Sequence, residues 1–484
     1  MEWILVLQII YIIILLLVCM RIIYDTQNNT KTIAYLLLVL IAPIFGIIFY
    51  FSIGINYSKR KMFSKKLTRD EDLLEQTRIE VFNYSEKVVR NYQELLGDKK
   101  PLSTLILNDT LSPLTENNEV EILVNGEQKF PAVLDVLLNA KYHIHIEYYI
   151  YEDDIIGKQI EEILIERAAK GVKVRFIYDD FGSSTLRKRM VKNLRENGVE
   201  AFAFSKVRIL VLANRLNYRN HRKIIVVDGS KGFVGGINVS DKYSNDSNNP
   251  GLYWRDMHLK ISGAGVHYLQ YLFLCDWNFC AKQQLQPNDE FFPKNIPVGI
   301  NSNKLVQIVG SGPDSDRPSV MFSLLQTIQL AKEELLIASP YFIPGNSIKN
   351  ALITAALSGV SVKLLVPGIS DSKIVNLAAS SYYGILLDAG VEIYLYQKGF
   401  LHAKTMVIDK QVSIVGTANM DQRSFELNFE VNAVIFDSEI ANKMTDIFYQ
   451  DLLNSEKIDV QRWNERGKWQ GLLEQTARLL SPLL

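Results

Sequence analysis

Two long apolar runs open the chain. Between Trp3 and Tyr24 the only charge is Arg21, and between Ile33 and Ile55 there is none. At a helical rise of about 1.5 Å per residue, either run can cross a hydrocarbon core about 30 Å thick. The pattern therefore predicts two transmembrane helices within residues 1–58, joined by the polar loop Asp25–Lys31. A signal peptide would need a basic start and a small-residue cleavage site, and a second span would not follow at once. Pro43 and Gly46 are tolerable inside a membrane helix. Lys59, Arg60, Lys61, Lys65, Lys66 and Arg69 follow the second run, against only Arg21 and Lys31 around the loop. The positive-inside rule then places the N-terminus and everything beyond residue 58 in the cytoplasm. Residues 59–119 read as a basic juxtamembrane and linker segment, suited to anionic headgroups.

From about residue 120 the pattern changes to short β-branched strands alternating with helical stretches, and it occurs twice. Phe130–Lys141 precedes an apolar strand at Ile144–Tyr151, and Phe322–Lys332 precedes one at Leu335–Ile343. Each is followed by a helix that stops at glycine before a strand (Gly171, Gly359), then by a second helix stopping at Gly198 or Gly390. This alternation predicts an α/β fold built from two duplicated repeats, 120–285 and 305–484, each with a central, largely parallel sheet. The Pro- and Asn-rich stretch 286–304 reads as the linker between them.

Each repeat then delivers the same string. His221-Arg-Lys223 is followed four residues later by Asp228, and His402-Ala-Lys404 by Asp409, both of the form H-x-K-x4-D. A glycine-containing turn and an asparagine follow each, Asn238 and Asn419. His and Lys two apart on a strand share a face, so each string offers an imidazole beside an ammonium. Two such strings facing each other suit attack on a phosphodiester, one His as nucleophile and the other moving protons. Each repeat also starts a late strand with an acid, Asp256 and Glu430, available to orient its repeat's imidazole. Asp228 and Asp409, at a turn, are expected to brace the hairpins.

Composition narrows the partners. Lys and Arg total 53 and Asp and Glu total 53, so no global basic field exists to hold a nucleic acid. Of the three cysteines, Cys275 and Cys280 lack the second pair a zinc site needs, and an odd count argues against a disulfide framework. His143, His145 and Glu147 alternate on one strand face, a shape metals favour, but the second repeat has no such set. Glu147 is instead a candidate substrate contact. Arg208, Arg215 and Arg219 lead into His221 and could hold an anionic headgroup in bidentate fashion, Arg215 and Arg219 being the nearest. At the far end Trp463, Trp469, Leu472, Leu473, Leu479 and Leu480 among basic residues form an amphipathic segment that could lie at a membrane surface.

The paired strings resemble those of the phospholipase D superfamily. Tyr148-Tyr-Ile-Tyr151, Trp254-Arg-Asp256, Ser339–Pro344 and Gly416–Glu430, with the apolar N-terminus, are similar to bacterial cardiolipin synthases. The resemblance implies two repeats packed with both strings at their interface, no metal or other cofactor, and a multi-pass protein of the bacterial cytoplasmic membrane. It implies phosphatidyl transfer between two phosphatidylglycerol molecules, giving cardiolipin and glycerol. His221 would attack phosphorus, His402 would serve as acid and then base, and Lys223, Lys404, Asn238 and Asn419 would hold the non-bridging oxygens. A hydrolytic phospholipase D is the alternative; a nuclease or a non-enzymatic scaffold fits the charge balance and the intact strings less well.

Overall fold

The computed structural model describes residues 2–26, 29–51, 78–186, 188–204, 218–245, 251–281, 283–296, 299 and 302–481. Among them, the helix Glu2–Asp25 is long and apolar enough to cross a membrane. The second apolar run differs from expectation, being helical in two pieces, Asn29–Ile41 and Pro43–Phe49. Pro43 has no N–H to extend the first piece and opens the second, where a helix tolerates proline best. The pieces still fold back on the first helix, with Val18 and Ile22 buried against Val39 and Tyr50. The basic cluster 59–69 lies outside the described residues.

The stretch expected to be a linker is helical over Arg78–Asn91, Gln93–Leu96 and Lys100–Thr110. Its apolar side chains Val88, Leu96, Leu102 and Ile106 belong to the same core as Leu305, Val309, Leu324 and Leu335 of the second repeat. The segment after the apolar helices is thus an integral layer of the second repeat.

In the first repeat the strands are Thr115–Val124 (β1), His143–Tyr148 (β2), Lys173–Tyr178 (β3), Glu200–Ala203 (β4), Arg219–Asn220 (β5), Lys223–Val227 (β6), Lys231–Gly235 (β7), Trp254–Arg255 (β8) and Met257–Ser262 (β9). Those of the second are Lys304–Ser311 (β10), Glu334–Ala338 (β11), Phe342–Ile343 (β12), Ser361–Pro367 (β13), Glu392–Tyr396 (β14), Phe400–Leu401 (β15), Thr405–Ile408 (β16), Val412–Gly416 (β17), Met420–Asp421 (β18), Asn428–Phe436 (β19) and Ser455–Lys457 (β20). The order β1-β9-β7-β6-β2-β3-β4 in one half matches β10-β19-β17-β16-β11-β13-β14 in the other, and β1 joins β10 across the middle.

Each half is mixed, not largely parallel. β2, β3 and β4 run parallel, as do β11, β13 and β14, because a helix returns the chain between them. The H-x-K strands β6 and β16 instead turn back at once, at Asp228-Gly229 and Asp409-Lys410, all four in the left-handed region. So tight a turn can only make an antiparallel hairpin. Between the two halves lies a shared core in which Ile224, Val226, Val234 and Leu259 meet Val306, Ile308, Val431 and Ala433.

Because Leu102 is fully buried in the second repeat's core, Leu102→Ala should cost about 3 kcal/mol of stability. The urea midpoint of the detergent-solubilised protein measures this; a midpoint within error of the wild type would show that the 78–110 layer is dispensable.

Candidate active site

Both histidines sit just ahead of their strands rather than on them, β6 beginning at Lys223 and β16 at Thr405. Each is carried in by a two-residue strand that pairs with the opposite repeat. β5 lies parallel to the start of β19, with Arg219 opposite Asn428 and Asn220 opposite Phe429. β15 lies parallel to β8, with Phe400 opposite Trp254 and Leu401 opposite Arg255. Extended by one residue, these registers set His221 beside Glu430 and His402 beside Asp256. The backbone closes each exchange, His221 N–H donating to Phe429 O at 3.0 Å and His402 N–H to Arg255 O at 2.7 Å.

The acids are therefore crossed relative to the expectation that each repeat orients its own imidazole. His221 Nδ1 lies 3.0 and 2.9 Å from the two carboxylate oxygens of Glu430, and His402 Nδ1 lies 2.6 Å from Asp256 Oδ2. With Nδ1 committed in both rings, Nε2 is the atom left to react. Glu430 is itself held by the Thr417 hydroxyl at 2.5 Å and the Asn428 amide at 3.2 Å. Gly236 occupies the place of Thr417 in the first repeat, and a Cβ there would come within 2.2 Å of Asp256 Oδ1. Glycine at this turn is a matter of space for the carboxylate.

Charge is scarce and buried here. Burial pushes His221 down to about 4 against the pull of Glu430, and pushes His402 down to about 3 with help from Lys404. Both shifts favour the neutral imidazoles. Burial also lowers Lys223 to about 7 and Lys404 to about 8. Each ammonium donates to the carbonyl of its own histidine, at 2.7 and 2.5 Å, which keeps His and Lys of one string together. Burial raises Glu430 but the adjoining His221 and Lys223 outweigh it, and the net direction is down.

Asp228 and Asp409 stand away from this centre. Asp228 accepts from the backbone N–H groups of Lys141, Tyr142 and His143. Asp409 accepts from those of Lys332, Glu333 and Glu334, and also from Lys99 Nζ at 3.0 Å. Each ties the turn of the H-x-K hairpin to the start of the neighbouring strand. Asn238 and Asn419 both line the pocket. The Asn238 side chain accepts from Ile150 N–H and donates to the Tyr243 hydroxyl.

The histidines share one cavity of about 400 Å3 with Arg219, Asn238 and Asn419 on its wall. Glu147 does not reach it. That carboxylate is fully buried and bonded to the Asn220 amide, beside Arg222 and Asp276, so its expected contact with substrate is not realised. Strand alternation puts the Glu147 side chain on the face covered by helix Val266–Cys280, which carries Asp276. Arg215 lies outside the described residues. The His143 and His145 rings are both bonded to Gln270, whose side-chain amide lies 3.1 Å from His143 Nε2 and 2.8 Å from His145 Nδ1, and Arg175 lies 3.2 Å from His145 Nε2.

Residues absent from the candidate set complete the wall. Tyr149 stands against the His221 ring at 4.8 Å, and Trp254 and Tyr243 against the His402 ring at 5.5 and 5.9 Å. Tyr341, Asp371, Asp421 and Arg423 also line it. Most belong to strings already notable in the sequence; Asp371, in the loop after β13, has no sequence signal.

The chain is similar to known proteins over nearly its whole length. The family model described as cardiolipin synthase, PLD-like domain matches residues 133–258 and 324–452, one segment in each repeat. The chain is 39% identical to the major cardiolipin synthase ClsA of Bacillus subtilis strain 168, covering 99% of this chain and 98% of that one. It is 41% identical to cardiolipin synthase 2 of Bacillus anthracis over 95% of this chain and 88% of the other. Among solved structures, phosphatidylserine synthase of Haemophilus influenzae Rd KW20 superposes with a TM-score of 0.60 at 14% identity, covering 79% of this chain and all of that one, a likeness of fold.

The crossed pairing and the buried histidines each make a prediction. Glu430 favours protonated His221, so Glu430→Gln should lower the titration of His221 further and leave His402 in place, and Asp256→Asn should do the reverse. Carbon-detected NMR of ring-labelled histidine, assigned by single His→Asn variants, reads this; a shift in the histidine of the acid's own repeat would refute the crossing.

Burial depresses all six histidines, His143, His145, His258 and His267 included. Below about pH 6.5 these histidines bind more protons in the unfolded chain than in the folded one, while Asp421, pushed up to about 6 by burial, and Glu147 act the other way. The histidine contribution to stability should be full above pH 6.5 and fall as pH drops toward 4, by up to about 1.4 kcal/mol per pH unit for each, and Asp421→Asn combined with Glu147→Gln should steepen that fall. Thermal melting across that range checks it, and a flat profile would count against neutral histidines in the fold.

Proposed function

Since the chain belongs to the cardiolipin synthase family of phospholipase D-like phosphatidyltransferases, we propose that it joins two phosphatidylglycerol molecules at this cavity into cardiolipin and glycerol. The observation that carries the reading is the pair of histidines, each with Nδ1 on a buried carboxylate from the opposite repeat and Nε2 left for substrate.

Burial keeps His221 neutral, so its Nε2 lone pair can attack phosphorus while the P–O bond to glycerol breaks. The ring becomes cationic as the P–N bond forms, and Glu430 at 2.9 Å stabilises that charge through Nδ1–H. The leaving oxygen takes a proton from His402 Nε2. Burial favours neutral His402, and a negative phosphodiester beside it favours the imidazolium, so substrate binding brings the proton in. A primary hydroxyl of the second phosphatidylglycerol then returns a proton to His402, attacks phosphorus and breaks the P–N bond. One phosphodiester is broken and one made, so no nucleotide is consumed. Lys223, Lys404, Asn238 and Asn419 hold the non-bridging oxygens, where preorganised donors lower the barrier. Arg219, buried above the Phe181 ring at 4.3 Å, supplies further positive charge at the His221 end.

The membrane reading has three supports. Glu2–Asp25 is long and apolar enough to span. The broken second segment folds back on it, fitting a two-pass anchor with the catalytic body on the cytoplasmic side, where the basic residues 59–69 meet anionic headgroups. Helix Lys468–Arg478 packs through Glu474 and Ala477 and leaves Trp469, Leu472 and Leu473 exposed beside basic residues, as an interfacial helix does.

Acid-quenched trapping of radiolabelled phosphatidyl group tests the roles. His221→Asn should carry no label, and His402→Asn should form the labelled protein slowly and then accumulate it. Glu430→Gln should behave as a milder His221 variant, and Asp256→Asn as a milder His402 variant. Label on the peptide holding His402 would reverse the assignment. Purified wild type that turns phosphatidylglycerol vesicles into phosphatidic acid without cardiolipin would replace transfer by hydrolysis.

A further inference from the structure

The two repeats are near-duplicates in backbone, yet the cavity between them has unlike ends. At the His221 end lie two guanidiniums, Arg219 two residues before the nucleophile and Arg423, which acts electrostatically on both Arg219 and Tyr149. At the His402 end lies a carboxylate. Asp371, exposed at the mouth of the cavity, accepts from the Tyr341 hydroxyl at 2.7 Å. Tyr341 packs on Phe400 at 6.3 Å, and the Phe400 ring lies 5.8 Å from His402. Asp371 and Tyr341 are thereby fixed on the histidine that handles the alcohol.

The first repeat has no carboxylate at the matching position, and Asp179, in the same loop, is buried and taken up by the backbone N–H groups of Phe181, Gly182 and Asn220. Counted from the paired strands β3 and β13, the position of Asp371 falls on Ser183. The Ser183 hydroxyl is spent within the fold, donating to Tyr149 O at 2.9 Å and accepting from Tyr151 N–H at 3.1 Å. An exposed acid in the second repeat, against a buried one in the first, breaks the symmetry in the direction a transferase needs. Lys242 also lines this end, 4.7 Å over the Trp254 ring, so the distinction rests on Asp371 itself: a neutral polyol donates hydrogen bonds to a carboxylate, and a phosphate anion is repelled by it.

We propose that Asp371 and Tyr341 form the acceptor-alcohol subsite and recognise the vicinal diol of a glycerol headgroup. The hydroxyl that attacks lies on His402 Nε2, and the neighbouring hydroxyl donates to Asp371. A carboxylate accepts several hydrogen bonds, so Asp371 holds Tyr341 and the diol together. The same contacts receive the leaving glycerol in the first half-reaction. Both residues determine specificity without touching phosphorus, and a lone water gains little from them, which favours transfer over hydrolysis. This inference rests on the transferase reading above and adds to it the basis on which the acceptor is chosen.

The test uses the full-length protein in phosphatidylglycerol mixed micelles with two soluble acceptors in competition, labelled glycerol and labelled propan-1-ol, which lacks the second hydroxyl. Wild type should favour glycerol by about tenfold or more, the scale of one hydrogen bond to a charged group. Asp371→Asn and Tyr341→Phe should lower total turnover, bring that preference to within about twofold, and raise the ratio of phosphatidic acid to cardiolipin. The readout is a ratio, so partial loss of folded protein does not imitate it; Tyr341→Phe keeps the ring and guards against misfolding of the Asp371 variant. Both variants retaining the wild-type preference would overturn the subsite while leaving the transferase reading intact. Wild type that transfers to neither acceptor nor to phosphatidylglycerol would overturn both.

Discussion

The structure turns on one exchange. A two-residue strand from each repeat leaves its own sheet and pairs with the other's, β5 on β19 and β15 on β8. These contacts set the register between each histidine and the acid that orients it, so neither repeat holds a complete catalytic pair. Duplication without this crossing would yield two half-sites. The shared apolar core between the halves supplies the stability of the interface, and the exchanged strands supply its alignment.

Burial does the electrical work. Neutral histidines and weakened lysine charges are what a water-poor cavity between two sheets produces, and they suit a reaction that begins with an uncharged nucleophile. In the proposed reaction a negative phosphodiester completes the balance, because it favours cationic His402, Lys223 and Lys404. The acids contribute through the rings they hold, Glu430 with three partners and Asp256 against a turn that only glycine can line.

Symmetry in the backbone and asymmetry in the cavity have separate origins. Strand order, the left-handed turns at Asp228 and Asp409 and the glycine helix stops recur in both halves. The cavity walls come from loops after strands, where side chains vary without disturbing the sheets. Arg219 and Arg423 line the cavity near His221 and Asp371 and Lys242 line it elsewhere, so a two-fold scaffold carries unlike walls.

Much of this was legible in the chain itself. The H-x-K-x4-D strings, their duplication and the apolar start are local patterns, and local patterns survive in sequence because strand and helix periodicity impose them. The bracing role expected of Asp228 and Asp409 is also local, since each carboxylate reaches only the start of the adjacent strand. What sequence order could not convey is which partner lies across the interface. Asp256 follows His221 in the chain and was matched to it, but the registers place it on His402, because strand exchange joins residues 146 positions apart. Glu147 shares a face with His145 by alternation, yet only packing showed that face to be covered by helix Val266–Cys280. Pro43 divided a run that hydropathy, blind to backbone donors, reads as continuous. Asp371 carries no motif at all. Composition and periodicity determined the repeats and their reactive groups; the pairing of those groups and the polarity of the cavity belong to tertiary structure, because both depend on which surfaces the two halves bury against each other.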